Sequence, residues 1–298
     1  MTSSGAYAHQ RVALATRHGK ERVISRALHR GLGAQLLQVR SVDTDALGTF
    51  CGTVSRQGDA IQACIAKAEA ALRVGGTKLA IGSEGSFGPH PQLPFLTAGV
   101  ECMVFLDQQR GLLVKEPLLA RRPNFAHRQV PPPSPSGPDA ELERWLDRVG
   151  FPGHALMVRP STSAGEQSRT TPETVAKGLR RWEDLRLALD RAAAASPEGL
   201  ALLESDMRAH CNPARMAEIR RLAFRLLRRL ARPCPACDSP GWGVVDQRPG
   251  LPCAACGLPT AMTRALLWGC GHCGHQEEQP RADGRLQADP GHCDWCNP

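Results

Sequence analysis

Four short stretches near the end of the chain decide how the rest is read: P-C-P-A-C at 233–237, P-C-A-A-C-G at 252–257, G-C-G-H-C-G at 269–274 and H-C-D-W-C-N-P at 292–298. Each holds a C-x-x-C pair, namely Cys234/Cys237, Cys253/Cys256, Cys270/Cys273 and Cys293/Cys296. Fifteen residues lie between the first and second pairs and nineteen between the third and fourth. Those gaps match the zinc ribbon, in which two thiolate knuckles clamp one tetrahedral Zn²⁺. Gly257 and Gly274 follow second cysteines and suit the tight turn of a knuckle. Two four-cysteine zinc ribbons are therefore expected over residues 233–298, with consecutive pairs sharing a metal. A cross-braced pairing stays open, because the thirteen residues between Cys256 and Cys270 could also close a site. With eight cysteines at hand, His272, His275 and His292 are bystanders.

Outward from the tail, the chain of 298 residues has room for about two domains. No apolar run approaches the roughly 20 residues of a membrane span, and Met1 to Lys20 lacks a signal-peptide core. A cytoplasmic, reducing setting follows as an expectation, and it favours metal-bound thiolates over disulfides. The formal charge is +8, but it is uneven. Residues 233–298 hold four arginines against seven acids, whereas residues 206–232 hold eight arginines against two. Positive charge is thus gathered beside one helix, and the tail is acidic.

Before the tail, strands and helices alternate: strand Arg11–Thr16, helix Lys20–Arg30, strand Gln35–Val39, helix Ala60–Arg73, strand Lys78–Gly82 and a hairpin from Gly99–Leu106 and Gly111–Glu116. The run PPPSPSGP at 131–138 is an exposed loop. A helix at Asp139–Val149, a strand at His154–Arg159, a Ser/Thr-rich loop, a helix at Trp182–Ala194 and a strand at Leu200–Leu203 complete the pattern. It predicts an α/β domain over residues 1–232, a mixed sheet with flanking helices. One further helix is legible in detail. Asn212 is its N-cap, Pro213 its first residue and Pro233 its stop. Met216, Ile219, Ala223, Leu226 and Leu230 form an apolar stripe, and Arg221, Arg225, Arg228 and Arg232 line another face.

Chemistry is expected where strands of such a sheet end in polar loops. Three places qualify: Thr16-Arg17-His18-Gly19-Lys20, Ser83-Glu84-Gly85-Ser86-Phe87-Gly88, and Glu204 to His210 with Asp206 and Arg208. The third opens the Asn212 helix, whose free N–H groups favour an anion, with Arg208, His210 and Arg215 adding charge. Each has a plainer reading: surface charges for Arg17, His18 and Lys20, a glycine turn for Ser83–Gly88, an internal salt-bridge network for Glu204–His210. Asp43 and Asp45 read as a loop cap, and nothing supplies Cys211 with an oxyanion hole.

The phrases ATRHGKE, DTDALGTF, SEGSFGPHP, ESDMRAHCNPARM, GLPCAACGLPT and ADPGHCDWCNP resemble the bacterial domain-of-unknown-function family 6671 (DUF6671) along nearly the whole chain. Relative to that pattern, 131–138 and Ser161–Thr171 look like lengthened loops. The N-terminal order Thr16-x-x-x-Lys20, Gly52-Thr53, Ala66-Lys67-Ala68 and Ser83-Glu84-Gly85 is also similar to the inosine-triphosphate pyrophosphatase and Maf-like nucleotide hydrolases. That resemblance implies phosphate contacts from Thr16, Lys20 and Lys67, and a role for Glu84 at Mg²⁺ or the attacking water. The paired acids of the pyrophosphatases are missing, and the zinc tail has no counterpart there.

The expectation is a Mg²⁺-assisted hydrolase of a nucleotide or other phosphorylated small molecule, carrying two structural Zn²⁺. Glu84, Asp206 and His210 are its candidate catalytic residues. Thr16, Arg17, His18, Lys20, Lys67, Ser83, Ser86, Arg208, Asn212 and Arg215 are its candidate ligand-binding residues. The alternative is a non-enzymatic adaptor that binds protein or RNA through Arg221, Arg225, Arg228 and Arg232. No membrane partner is expected.

Overall fold

Val12, Ala13, Leu14 and Ala15 are all buried, because β1 (Arg11–Ala15) runs through the middle of a sheet covered on both faces. The computed structural model describes residues 3–43, 59–89, 97–120, 123–134, 137–161 and 174–298. Asp45, the Gly52-Thr53 segment, the tip of the proline-rich run and nearly all of Ser161–Thr171 lie outside them.

α1 (Glu21–Leu32) leads from β1 to β2 (Gln35–Val39). α2 (Ala60–Gly75) then leads to β3 (Leu79–Pro89), followed by β4 (Thr97–Asp107) and β5 (Leu112–Ala120). The sheet order is β2-β1-β3-β4-β5. β1 pairs in parallel with β2 and β3, and the β3–β4 and β4–β5 pairs are antiparallel, so the predicted mixed sheet with flanking helices is present. Alternation along the strands separates two cores. Leu14, Ile81, Met103 and Phe105 meet α1 and the later helix α5 (Pro213–Leu230), whereas Ala13, Ala80, Cys102 and Val104 meet α2. α2 starts on a capping box, with Asp59 accepting from the Gln62 N–H at 2.7 Å. α5 starts as its sequence predicts, with Asn212 accepting from the Arg215 N–H at 3.0 Å and Pro213 next in line.

A second, all-antiparallel sheet stands beside the first, in the order β6 (His127–Val130), β9 (Ala201–Ser205), β7 (Leu156–Pro160), β8 (Ala176–Leu179). α3 (Ala140–Val149) and α4 (Trp182–Ala194) build its separate core with Trp145, Leu156, Leu185 and Leu189. The tail forms a third sheet, β10 (Gly243–Pro249), β11 (Thr263–Gly269) and β12 (Gln276–Pro280), an antiparallel meander. It docks beside β5 and the end of α5. Arg229 donates to the carbonyls of Gly241 at 3.0 Å and Lys115 at 2.9 Å, and His272 Nδ1 bonds the Arg110 carbonyl at 3.0 Å. These contacts lie against the first part of the outer edge of β5, which is otherwise the end strand of its sheet.

One local expectation fails. Ser83 to Gly88 is no phosphate-cradling loop or glycine turn; it is the second half of β3. The reason is its partner: β4 pairs with every residue from Leu79 to Pro89, whereas β1 pairs only with Leu79, Ala80 and Ile81.

Candidate functional site

Because β1 ends where β3 continues, one edge of β3 is left without a strand neighbour after Ile81. Lys20, one residue before α1, fills that gap. Its Nζ donates to the Ser83 carbonyl at 2.8 Å and lies 3.3 Å from Ser83 Oγ. Lys20 is only 7% exposed, and among the described residues no carboxylate contacts it. Burial pushes its amine down to about 8; the Arg215 charge adds to this, and Glu84 and Glu101 oppose it.

Two ion pairs flank Lys20, one on each face of the β3–β4 ribbon. On the α2 face, Lys67 bonds Glu84, whose other oxygen accepts from the Gly85 N–H at 3.1 Å. On the α5 face, Arg215 Nε donates to Glu101 at 2.6 Å, its Nη2 lies 3.3 Å from the other Glu101 oxygen, and its Nη1 bonds the Met207 carbonyl. A glycine makes the second approach possible. A Cβ at Gly85 would lie 2.6 Å from Arg215 Nη2 and 2.8 Å from both Glu101 oxygens. Thr16, Lys20, Lys67, Ser83, Glu84, Glu101 and Arg215 are all buried. Three cations thus face two carboxylates at the ends of the parallel strands, where α/β sheets bind ligands.

Glu101 has no place in the sequence reading. Its only signal is an acid inside the apolar run V-E-C-M-V-F, and its partner is a residue of α5, more than a hundred positions away.

The third predicted motif reaches the same edge through histidine. The rings of His18 and His210 stack with centroids 5.4 Å apart. Burial, and then the Arg208 charge, lower the pKa of His210 below the usual imidazole value. Asp206 is turned elsewhere. It is fully buried and accepts from Arg208 Nε at 3.0 Å and Nη2 at 2.6 Å, and from the Gly178 N–H at 3.0 Å. Burial alone would raise its carboxyl, but the Arg208 bonds outweigh that and hold it below the usual range. Glu204 is likewise engaged, by Arg159 at 2.8 Å. Arg17 is an exposed partner of Asp43 at 3.0 Å, Ser86 is exposed, and Asn212 is spent as the α5 cap.

The arginine face of α5 is partly committed within the chain. Arg225 and Arg229 both bond Glu116, at 2.6 Å and 3.2 Å, Arg232 lies 5.2 Å over the Trp268 ring, and Arg221 pairs with Glu218 at 3.0 Å.

In the tail the eight cysteines form two tetrads, but their pairing is interleaved. Cys234, Cys237, Cys270 and Cys273 make one set, and Cys253, Cys256, Cys293 and Cys296 the other. The expected consecutive pairing is therefore corrected, for a geometric reason. Each intervening strand is extended and carries the chain from one end of the meander to the other; seven residues of β10 span roughly 20 Å, far beyond the reach of one metal. Successive knuckles land at opposite ends, and alternate knuckles meet. The closest sulfur pairs are 3.6–3.8 Å apart. This excludes disulfides and matches the edge of about 3.8 Å expected for a tetrahedron with Zn–S bonds of about 2.3 Å. The N–H groups of Ala236, Ala255 and His272 each point at a cysteine sulfur at 3.4 Å, as thiolates require. Gly257 and Gly274 both have φ of +75°, the conformation the knuckle turn demands, and Asp238 adopts it at +58°. Each tetrad could hold one metal ion, and an all-sulfur tetrahedral donor set suits zinc in a closed, structural role.

Fold and site together define a two-sheet α/β protein with a buried charge cluster and a cross-braced, eight-cysteine metal-binding tail. The family model described as Domain of unknown function (DUF6671) matches residues 67–298, and the chain belongs to that family. The match takes in Lys67, Glu84, Glu101, Arg215 and all eight tail cysteines; Lys20 lies before it. No curated protein and no solved structure matches the chain. No helix among the described residues is long and apolar enough to cross a membrane.

Proposed function

We propose that the chain is a Mg²⁺-assisted hydrolase of a nucleotide or another phosphorylated small molecule, with two structural Zn²⁺ in its tail. The observation that supports this is Lys20. Lys20 is buried on the Ser83 carbonyl and hydroxyl with no carboxylate in direct contact among the described residues, which costs a core more than it gains, whereas an anion site needs a desolvated, preorganised cation. Lys67 and Arg215 lie in the same cluster, and their charges favour a phosphate dianion further. Glu84, held in place by Lys67 and the Gly85 N–H, is the group placed to orient an attacking water. Mg²⁺ commonly takes one or two protein carboxylates and completes its shell with substrate phosphates and water. Glu84 meets the lower count, and the metal would neutralise charge that develops on the phosphate. Asp206, engaged by Arg208 and Gly178, is better suited to fastening β8 to the α5 entry than to holding metal. The likeness of Thr16-x-x-x-Lys20 and Ser83-Glu84-Gly85 to the pyrophosphatase and Maf-like hydrolases points the same way.

The adaptor reading, through the α5 arginines, has less support, because Arg225 is paired with Glu116 of β5, and Arg229 and Arg232 contact the chain's own tail. The deciding experiment is a panel of nucleotides and sugar phosphates with Mg²⁺, scored by phosphate or pyrophosphate release and by thermal shift. Lys20→Ala should lose ligand binding. Glu84→Gln should bind and fail to turn over. If no phosphorylated ligand raises the melting temperature, the hydrolase reading falls.

A further inference from the structure

The far end of the tail carries large apolar side chains that stand exposed among the described residues. Trp295 is 76% exposed and Leu286 80% exposed, the two most exposed large apolar side chains among the described residues. Both belong to the end built around the Cys253/Cys256/Cys293/Cys296 tetrad. Trp295 lies inside the last C-x-x-C, and Leu286 lies two residues before Ala288, whose N–H bonds the Pro252 carbonyl at 2.8 Å. Leu258, directly after the second knuckle, is 44% exposed at the same tetrad. The other tetrad contrasts with this one. There Trp242 and Trp268 pack against Cys234 and Cys270, and Arg232 covers Trp268.

Charge says what fits. Three of the tail's four arginines are matched by its own acids, Arg248 with Asp246, Arg264 with Glu278 and Arg281 with Asp283, and the fourth, Arg285, next to Leu286, lies near enough to Asp283 to help lower its carboxyl. Asp289 and Asp294, beside the last knuckle, have no cationic partner among the described residues. Four thiolates on one Zn²⁺ add a further charge of −2 at the same end. An exposed indole within a negative field, held on a metal-clamped turn, is a preorganised seat for a guanidinium or ammonium on an apolar stem. Among the described residues, Arg232 over Trp268 shows that contact of a guanidinium with an indole.

We infer that this end of the tail, with exposed Trp295 as the anchor and Leu286 and Leu258 at the same tetrad, docks a cationic, apolar-anchored segment of another protein. The same charge argues against nucleic acid, whose phosphates this end would repel.

The test uses the full, zinc-loaded chain and three probes: a helical peptide with one leucine face and one arginine face, its counterpart with glutamate for arginine, and a single-stranded RNA. Titration calorimetry should show binding of the leucine–arginine peptide, weakened by salt and weakened about tenfold or more by Trp295→Ala or Leu286→Ser. Both substitutions are at exposed positions, and two Zn²⁺ per chain in each variant would confirm the fold. Binding should also weaken in Asp294→Asn. The inference is overturned if the leucine–arginine peptide does not bind, if it binds equally well to the Trp295→Ala chain, or if the RNA binds in a Trp295-dependent way. Concentration-dependent self-association of the wild-type chain that Trp295→Ala abolishes would assign the surface to a second copy and overturn it too.

Discussion

A Cβ on Gly82 would lie 1.8 Å from the carbonyl oxygen of Cys64, so α2 rests on β3 backbone against backbone. That contact sets the rest of the α2 face. One helical turn after Cys64 comes Lys67, and two residues after Gly82, on the same face of the strand, comes Glu84. The ion pair therefore depends on a glycine that touches neither of its members. Gly82→Ala must push the helix away, and backbone cannot yield as a flexible side chain can. A loss of about 1–3 kcal/mol or more is expected. In a chain of this size that corresponds to a fall in melting temperature of several degrees. Calorimetry on Gly82→Ala checks it, and an unchanged melting temperature would show the approach to be looser than described.

Among the described residues, Arg215 and Glu101 form the most deeply buried ion pair, at 1% and 0% side-chain exposure. Removing either charge alone leaves the other buried without its direct partner, at a cost of about 3–5 kcal/mol. Glu101→Leu and Arg215→Met should each destabilise the chain by that order. The double variant should lose far less than the sum, because neither charge is then stranded. Urea denaturation of the four proteins gives the coupling; additive losses would mean that the two side chains do not depend on each other.

Lys20 gives a pH signature. Its folded pKa, lowered to about 8, lies below the ordinary 10.5, so between those values the unfolded chain holds more protons than the folded one. By linkage, this residue's contribution makes stability rise with pH across that window. Anion binding needs the ammonium and runs the opposite way, weakening as pH rises through about 8. The difference between wild type and Lys20→Met isolates both effects. Phosphate-induced thermal shifts should fade above pH 8 in wild type and be absent in Lys20→Met at every pH. A wild-type shift that stays constant from pH 7 to 10 would remove Lys20 from the site.

The sequence shows much of this architecture and hides particular parts of it. Local signals were enough for the Asn212 cap, the alanine-rich α2 and the β4–β5 hairpin, since capping, periodicity and turn chemistry act over a few residues. The length of β3 was hidden. Ser83–Gly88 has a turn's composition, and only the full-length pairing with β4 overrides it. Lys20 and Glu84 could be picked out as polar residues near strand ends and Arg215 at the start of the Asn212 helix, whereas Lys67 came only through the resemblance to the pyrophosphatase and Maf-like hydrolases. Glu101 could not, because what marks it is a partner in a helix that arrives more than a hundred residues later. Nor could cysteine spacing choose the metal pairing. C-x-x-C spacing fixes a knuckle, whereas the strands between knuckles decide which ones meet.

Interleaved pairing makes a prediction that double variants can read as a metal count. If Cys234/Cys237 share a metal with Cys270/Cys273, a Cys234→Ser, Cys270→Ser chain damages one site twice and should retain one Zn²⁺. A Cys234→Ser, Cys253→Ser chain damages both sites and should retain none. Consecutive pairing would give the reverse, no zinc in the first chain and one in the second. Either site, once lost, removes a metal whose binding supplies folding free energy on the order of 10 kcal/mol, so the damaged end should also unfold locally. The consequences differ, because the first tetrad lies at the docked end of the tail, where Arg229 reaches Gly241 and His272 reaches Arg110. Its loss should expose Lys115 and Leu113 on β5 to hydrogen exchange, whereas loss of the second tetrad should leave that strand protected. Elemental analysis under reducing conditions, paired with hydrogen-exchange mass spectrometry, reads both. One Zn²⁺ in Cys234→Ser, Cys253→Ser and none in Cys234→Ser, Cys270→Ser would overturn the cross-braced arrangement.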